Sequence, residues 1–540
     1  MNTDRAFLPA ICTSRLLQAL LVVALLGGCA SLPPGSDYPK TDSSAFAQPE
    51  QTTLGGVFAA AAREHPGNSA FRLLTVGVDG FLSRVQMVNA AQQTIDIQYF
   101  IFRADETGQL LTEAVLRAAD RGVRVRVLVD DGETITGDDQ LVALDAHPSI
   151  EVRIFNPFVY RGNIAFLRAV EFTLSNARLD YRMHNKLMVV DNAIALVGGR
   201  NVGDEYFQID PDSQVADDEV LAAGPVVKEL SATFDLFWKS DMAIPVQALA
   251  EGTASDAALA AYRKVLIEHR QQVKEDGTDY ASRIAKGEPL AGMLAGRLPL
   301  VWAHAALVYD SPDKKRVEGG RMMGRLMHPP VAAAASAVQS ELLMITPYFI
   351  PGSAGMKMFG ELRKRGVHVS VLTNSLESAN VLLAQSGYMR YRLPLLEEGV
   401  EIHEIRSLLG NTRGSGETKV MSRYGTYSLH AKLFIFDRRS LFVGSMNFDQ
   451  RSAHLNTEIG LIIDSPELAQ QLVARFKAMT SPPNSYELVL RPRDGARAPR
   501  LIWRTQEESR SVDYDEEPSR SGKQKMEVEL LSLLPLDDEL

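Results

Sequence analysis

With 540 residues, 45% of them hydrophobic and 23% charged, the chain has an ordinary globular composition and the length for two or more domains. Its formal net charge of −10 argues against broad nucleic-acid binding, which leaves a basic footprint, so no nucleic-acid partner is expected.

Residues 1–28 read as a signal peptide rather than fold. Arg5 and Arg15 flank the start of an apolar run over 16–26, too short for a convincing transmembrane span, that ends at Leu26-Gly27-Gly28-Cys29. This ending resembles the bacterial lipobox, which implies cleavage before Cys29 and lipidation of that residue; an uncleaved short anchor is the alternative. Cys12 and Cys29 are the only cysteines, so the mature chain would hold one, used for lipid, with no internal disulfide and no cysteine-ligated metal. Acyl chains on Cys29 would hold the protein durably at a membrane. A bacterial cell-envelope lipoprotein facing the periplasm is therefore expected. By resemblance to lipoprotein sorting, Ala30 after the cysteine leans towards the outer membrane. Residues 29–67 carry Ser, Pro, Asp and Gly with little periodicity and read as the lipidated terminus and a tether.

A first lobe is expected over 68–245. A helical stretch (81–91) leads to a strand (94–100), then a helix (109–121) and strands over 123–129 and 150–155. A linker over 246–297, rich in Ala with Lys, Glu and Gln, reads as one or two helices. A second lobe, 298–504, repeats the order with a strand over 342–349, a helix near 356–364 and a strand over 367–373. Arg121-Gly122-Val123 recurs as Arg365-Gly366-Val367, 365 − 121 = 244 residues on. The alternation argues α/β lobes, and the repeat argues a pseudo-twofold pair of them. The tail, 505–540, is highly charged and expected to be disordered, with a short amphipathic end.

Each lobe carries one copy of H-x-K-x4-D-x6-G-x-x-N: His184, Lys186, Asp191 and Asn201 in the first, His430, Lys432, Asp437 and Asn447 in the second. Each copy predicts a β-hairpin, with His and Lys two apart on one strand face. Counting His184, Lys186, Asp191, His430, Lys432 and Asp437 as the catalytic set, we read the two aspartates as shaping the turn. Gly199 and Ser445 lie where the backbone comes close, and Asn201 and Asn447 offer amide donors, so these four are expected to bind substrate. A duplicated His beside Lys and Asn suits chemistry at a phosphodiester. One imidazole attacks phosphorus, the other protonates the leaving oxygen, and the Lys and Asn donors hold the non-bridging oxygens.

The paired motif resembles the HKD signature of the phospholipase D superfamily. The segments Asp96-Ile97-Gln98-Tyr99, Phe155-Asn156-Pro157, Arg182-Met183-His184-Asn185-Lys186, Gly224-Pro225-Val226-Val227, Thr373-Asn374-Ser375-Leu376 and Phe448-Asp449-Gln450-Arg451-Ser452 are most similar to bacterial cardiolipin synthases of the C type, over about residues 70 to 505. The resemblance implies an α/β fold of two phospholipase D-like lobes related by a pseudo-twofold, with the active site at their interface. It also implies a phosphohistidine route, for which we take His184 as nucleophile and His430 as acid, then base. An acid about thirty residues after each motif, Asp217 and Glu458, is expected to fix the imidazole tautomers, with Asp218 and Glu219 as rivals to Asp217. No cofactor is expected, and no metal, because no ligand cluster stands outside the motifs. Phosphatidylglycerol is the implied acceptor, with phosphatidylethanolamine or a second phosphatidylglycerol as donor; no accessory protein is named by the resemblance. Phospholipid hydrolysis is the alternative, since water can intercept a phosphohistidine. A nuclease and a non-catalytic lipid-binding lipoprotein are the remaining readings. Tyr99 and Tyr348 are read as occupying matching places in the two lobes.

Overall fold

The structure, a computed structural model, describes residues 35–540 apart from 133–137, 163, 211, 250–253, 278–291, 293–298, 316, 319–320, 323, 408–425, 493–498 and 534–540. The leader and Cys29 lie outside the described residues.

The duplication is visible strand by strand. In the first lobe the strands lie in the order Ser69–Leu74, Glu219–Ala223, Ile194–Gly198, Leu187–Val190, Thr94–Tyr99, Arg124–Asp130, Ile150–Phe155 and Ala243–Pro245. The second lobe runs Val301–Tyr309, Ile459–Asp464, Ser440–Gly444, Leu433–Phe436, Glu341–Ile345, His368–Asn374, Glu401–Ile405 and Ser485–Arg491. In both, a parallel trio is flanked by antiparallel strands. The sheets join edge to edge where Ser69–Leu74 pairs with Val301–Tyr309, making one continuous sheet.

Helices Gly77–Ala90, Glu106–Asp120 and Asp256–Glu275 cover the outer face of the first lobe. Between the lobes, helices Pro225–Trp238 and Pro466–Met479 pack with both sheets into one shared core that includes Val189, Ala222, Ile435 and Ile463. Thr94–Tyr99 is buried on both faces, as expected for a strand sandwiched between helices and a second lobe. Within the linker, Asp256–Glu275 is not a free spacer, because Leu259, Leu266 and Val273 bury against the first lobe.

The expectations of a tether and of a disordered tail are corrected. The tether is docked from Lys40 onwards: Lys40 Nζ donates to Ser240 O (2.9 Å), Arg153 Nη2 to Thr41 O (2.8 Å), Arg126 Nη1 to Ser43 O (3.0 Å) and Trp238 Nε1 to Ser43 Oγ (3.1 Å). Guanidiniums buried in the sheet need acceptors, and this low-periodicity strap supplies its carbonyls. Helix Thr53–Ala62, capped by Thr52, follows. The described part of the tail, 505–533, is structured too. Arg500–Glu507 and Arg510–Tyr514 extend the second sheet, and Gly522–Leu531 is a helix. Several of its acids are paired: Glu517 with Arg392 (2.5 Å), Asp513 with Arg504 (2.9 Å) and Glu507 with Arg406 (2.9 Å). Composition counts such charges without revealing their partners.

Candidate active site

Each motif is a hairpin. Leu187–Val190 pairs with Ile194–Gly198, and Leu433–Phe436 with Ser440–Gly444. The turns place Asp191 and Asn192 (φ 53° and 49°), and Asp437 and Arg438 (φ 51° and 55°), at positive φ, the turn handedness that matches strand twist. The Asp191 carboxylate accepts from the backbone N–H of Gln92 (3.0 Å), Gln93 (2.7 Å) and Thr94 (2.9 Å). Asp437 does the same for Gln339 (2.9 Å), Ser340 (2.7 Å) and Glu341 (3.0 Å). Both therefore fasten the hairpin tip to the start of the neighbouring strand, about 20 Å from the histidines at ~3.3 Å per residue. Their place in the catalytic set is corrected by this geometry.

The histidines sit where the lobes cross. His184 N donates to Thr457 O (3.0 Å), and His430 N donates to Ala216 O (2.8 Å). The residue after each acceptor is the acid in question. His184 Nδ1 lies 2.9 Å from Glu458 Oε2, and His430 Nδ1 lies 2.5 Å from Asp217 Oδ2. Each imidazole is thus held by the other lobe's carboxylate, a crossing that sequence distance along one lobe did not reveal. Strand Ser213–Ala216 pairs in parallel with Thr426–Leu429 and carries Asp217 across. The rivals are committed elsewhere: Asp218 to Arg475 (2.9 Å), and Glu219 to Arg84 (2.6 Å) and Arg200 (3.2 Å).

Both lysines converge on this interface. Lys186 Nζ donates to His184 O (2.6 Å), and Lys432 Nζ to His430 O (2.5 Å). Lys186 is in the field of Glu458, Lys432 and Asp217. Phe100 packs edge-on against His184 and Tyr206 against His430, at 5.1 and 5.3 Å between ring centres. Asn201 accepts from Ile101 N with Oδ1 (3.2 Å), and its side chain also bonds to Tyr206. Asn447 Oδ1 is buried without a hydrogen-bond partner among the described residues.

The two remaining substrate-binding candidates have other duties. Ser445 Oγ accepts from Ile459 N (3.0 Å) and donates to Glu458 Oε2 (2.5 Å), so it supports the acid. At Gly199, its counterpart, a Cβ would lie 2.1 Å from Asp217 Oδ1. Glycine leaves room for the carboxylate. Neither is placed as a substrate contact.

Burial dominates the electrostatics. It lowers His184 well below the usual imidazole range, reinforced by Lys186 and Lys432. It lowers His430 to about 4, with Lys432 adding to the effect and Asp217 opposing it. Burial also brings Lys432 down to about 8 and lifts Glu458 to about 8; for Asp217 burial acts upward as well, but His430, Lys432 and Arg200 together bring it below the ordinary carboxylate range. The lysines concentrate positive charge where an anion would sit, and each Nδ1 contact leaves Nε2 as the reactive nitrogen. No group of three or more His, Cys, Asp or Glu suited to a metal occurs among the described residues.

The sequence missed the supports behind the motif. Asp130 Oδ2 accepts from Met183 N (2.8 Å), and Asn374, its counterpart, accepts from Leu429 N (2.8 Å), steadying the residue before each histidine. Asp310 accepts from Glu458 N (3.0 Å) and pairs with buried Lys314 (3.1 Å). Only the strand-end position of Asp130 and Asn374 hinted at this. Tyr99 and Tyr348 do not match: equivalent contacts set Thr94 against Glu341, so Tyr99 corresponds to Thr346, and its hydroxyl accepts from buried Arg84 (3.0 Å).

The family described as "Cardiolipin synthase, PLD-like domain" matches residues 85–238 and 332–480, once in each lobe. Cardiolipin synthase C of Escherichia coli (strain K12) is 34% identical over 479 residues, 88% of this chain and 97% of that protein. Major cardiolipin synthase ClsA of Bacillus subtilis (strain 168) is 25% identical, over 75% of this chain and 67% of its own. The crystal structure of phosphatidylserine synthase from Haemophilus influenzae Rd KW20 superposes with a TM-score of 0.53 at 13% identity, covering 80% of this chain and 92% of that one, a likeness of fold.

Proposed function

We propose that this chain, which belongs to the phospholipase D-like family of cardiolipin synthases, is a phosphatidyltransferase that moves a phosphatidyl group onto the headgroup alcohol of phosphatidylglycerol. The observation that carries the reading is the crossed pair of imidazoles, each with Nδ1 on the opposite lobe's carboxylate, between two buried lysines.

In the first step His184 Nε2 attacks phosphorus. The N–P bond forms as the P–O bond to the donor's headgroup breaks, and His430 gives its Nε2 proton to the leaving oxygen. In the second, His430 takes the proton of the incoming hydroxyl, whose oxygen displaces His184. Ionised Asp217 suits His430 to the role that carries positive charge, and the substrate's phosphate anion favours that charge further. Lys186, Lys432 and the Asn201 amide are the donors for the non-bridging oxygens.

The leader and Cys29 give the proposed location, a lipoprotein of the bacterial envelope whose anchor keeps the site beside insoluble substrate. Among the described residues, no helix is long and apolar enough to cross a membrane.

Membranes holding the protein, given labelled phosphatidylglycerol with and without phosphatidylethanolamine, test the activity by mass spectrometry of the products. Cardiolipin formed by the wild type and lost in His184→Ala and His430→Ala is expected. Phosphatidic acid as sole product would establish the hydrolase instead.

A further inference from the structure

Helix Ala165–Leu174, between strand Ile150–Phe155 and the first motif, has its polarity reversed. Its two charged residues, Arg168 and Glu171, are bonded to the protein, Arg168 with 36% of its side chain exposed and Glu171 with 14%. Arg168 Nη2 donates to Asp131 O (2.9 Å) and its guanidinium lies over Phe158 (4.4 Å), while the Glu171 carboxylate accepts from Val159 N (2.7 Å) and Tyr160 N (2.8 Å) and faces Arg178 (3.5 Å). Its apolar residues turn outward: Phe166 is 73% exposed, Leu174 58% and Ile164, just before the helix, 56%, with Leu167 and Val170 also uncovered. A helix against water shows the opposite pattern, and a contiguous apolar face on a surface marks a contact.

The helix is tied to the site. Asp131, which holds Arg161 (2.5 Å) and Phe158 N (2.7 Å), follows Asp130, whose carboxylate fixes Met183 N next to His184. The helix is thereby joined, through Asp131 and Asp130, to the segment that carries the first histidine. A second copy seated there would need about 800 Å² per partner for a stable dimer, more than one ten-residue helix offers. A bilayer needs only a shallow apolar face.

We propose that helix Ala165–Leu174, with Val159 and Ile164, enters the interfacial region of a phospholipid bilayer and seats the site's mouth against its substrate. This rests on the phosphatidyltransferase reading for its occupant. The lipid on Cys29 would bring the protein to the surface, and this face would orient it.

The test uses the full lipidated chain in vesicles of phosphatidylglycerol and phosphatidylethanolamine, beside a variant combining Phe166→Ser, Val170→Ser and Leu174→Ser. Turnover of vesicle lipid is expected to fall roughly tenfold or more, with turnover of monodisperse short-chain phosphatidylglycerol held within about twofold. Equal losses on both substrates, or none on either, would overturn the proposal. If the wild type turned over neither lipid, the activity reading would fail, and Phe166→Trp reads docking separately. Quenching of its added fluorescence by brominated acyl chains supports insertion. Absence of quenching, or burial of the indole that follows protein concentration without lipid, overturns it.

Discussion

Glu458 and His184 are 274 residues apart in the chain and 2.9 Å apart in space, and Asp217 and His430 repeat the relationship from the other side. Neither lobe holds a complete acid–imidazole pair of its own. The active unit is the interface.

Glu458→Gln keeps the shape but can present an amide donor to Nδ1, which favours the tautomer that blocks Nε2. Turnover is expected to fall about a hundredfold or more while the protein stays folded, and Asp217→Asn should do likewise through His430. Steady-state kinetics with circular dichroism checks both; unchanged turnover would remove the positioning role.

Gly199 and Ser445 predict opposite tolerances at matching positions. Gly199→Ser puts a side chain where Asp217 Oδ1 stands, so turnover should be nearly abolished. Ser445→Gly removes one hydrogen bond to Glu458, and a loss of about tenfold is expected, the scale of one charged-acceptor bond.

Lys432, at about 8, carries its charge below that pH and loses it above. The free protein's kcat/KM should therefore decline on the alkaline side with an apparent midpoint near 8, and Lys432→Arg should shift or abolish that decline at reduced rate. Glu458, also at about 8, is protonated below that pH, so an acid-side decline is expected as the carboxylate that holds His184 Nδ1 loses its charge. Substituting Lys186 or Lys432 by Ala should slow turnover by about 10² to 10³.

Asp191→Ala should act on stability instead. Three backbone N–H groups lose their acceptor, so a destabilisation of about 3 kcal/mol is expected, read as a lowered Tm, with near-normal activity per folded molecule.

Much of the fold was legible because duplication is a strong signal: the two histidines are 430 − 184 = 246 residues apart, and the strand orders repeat with that spacing. The hairpins were legible from the apolar runs after His184 and His430. What the sequence withheld was three-dimensional pairing. Nothing local tells Asp217 from Asp218, or that Glu458 serves the other lobe's histidine. The strap at Thr41–Ser43 and Glu517 of the tail could not be placed from the sequence because their partners, Arg126, Arg153 and Arg392, come from distant strands and helices.

The proposed reaction is a two-step transfer across this crossed interface. It is tested most directly by quenching the wild-type protein during turnover of phosphatidylglycerol and mapping the adduct by mass spectrometry under alkaline conditions, which preserve phosphohistidine. A phosphatidyl group on His184, absent from His184→Ala, is the predicted result; continued cardiolipin synthesis with no adduct on either His184 or His430 would contradict it.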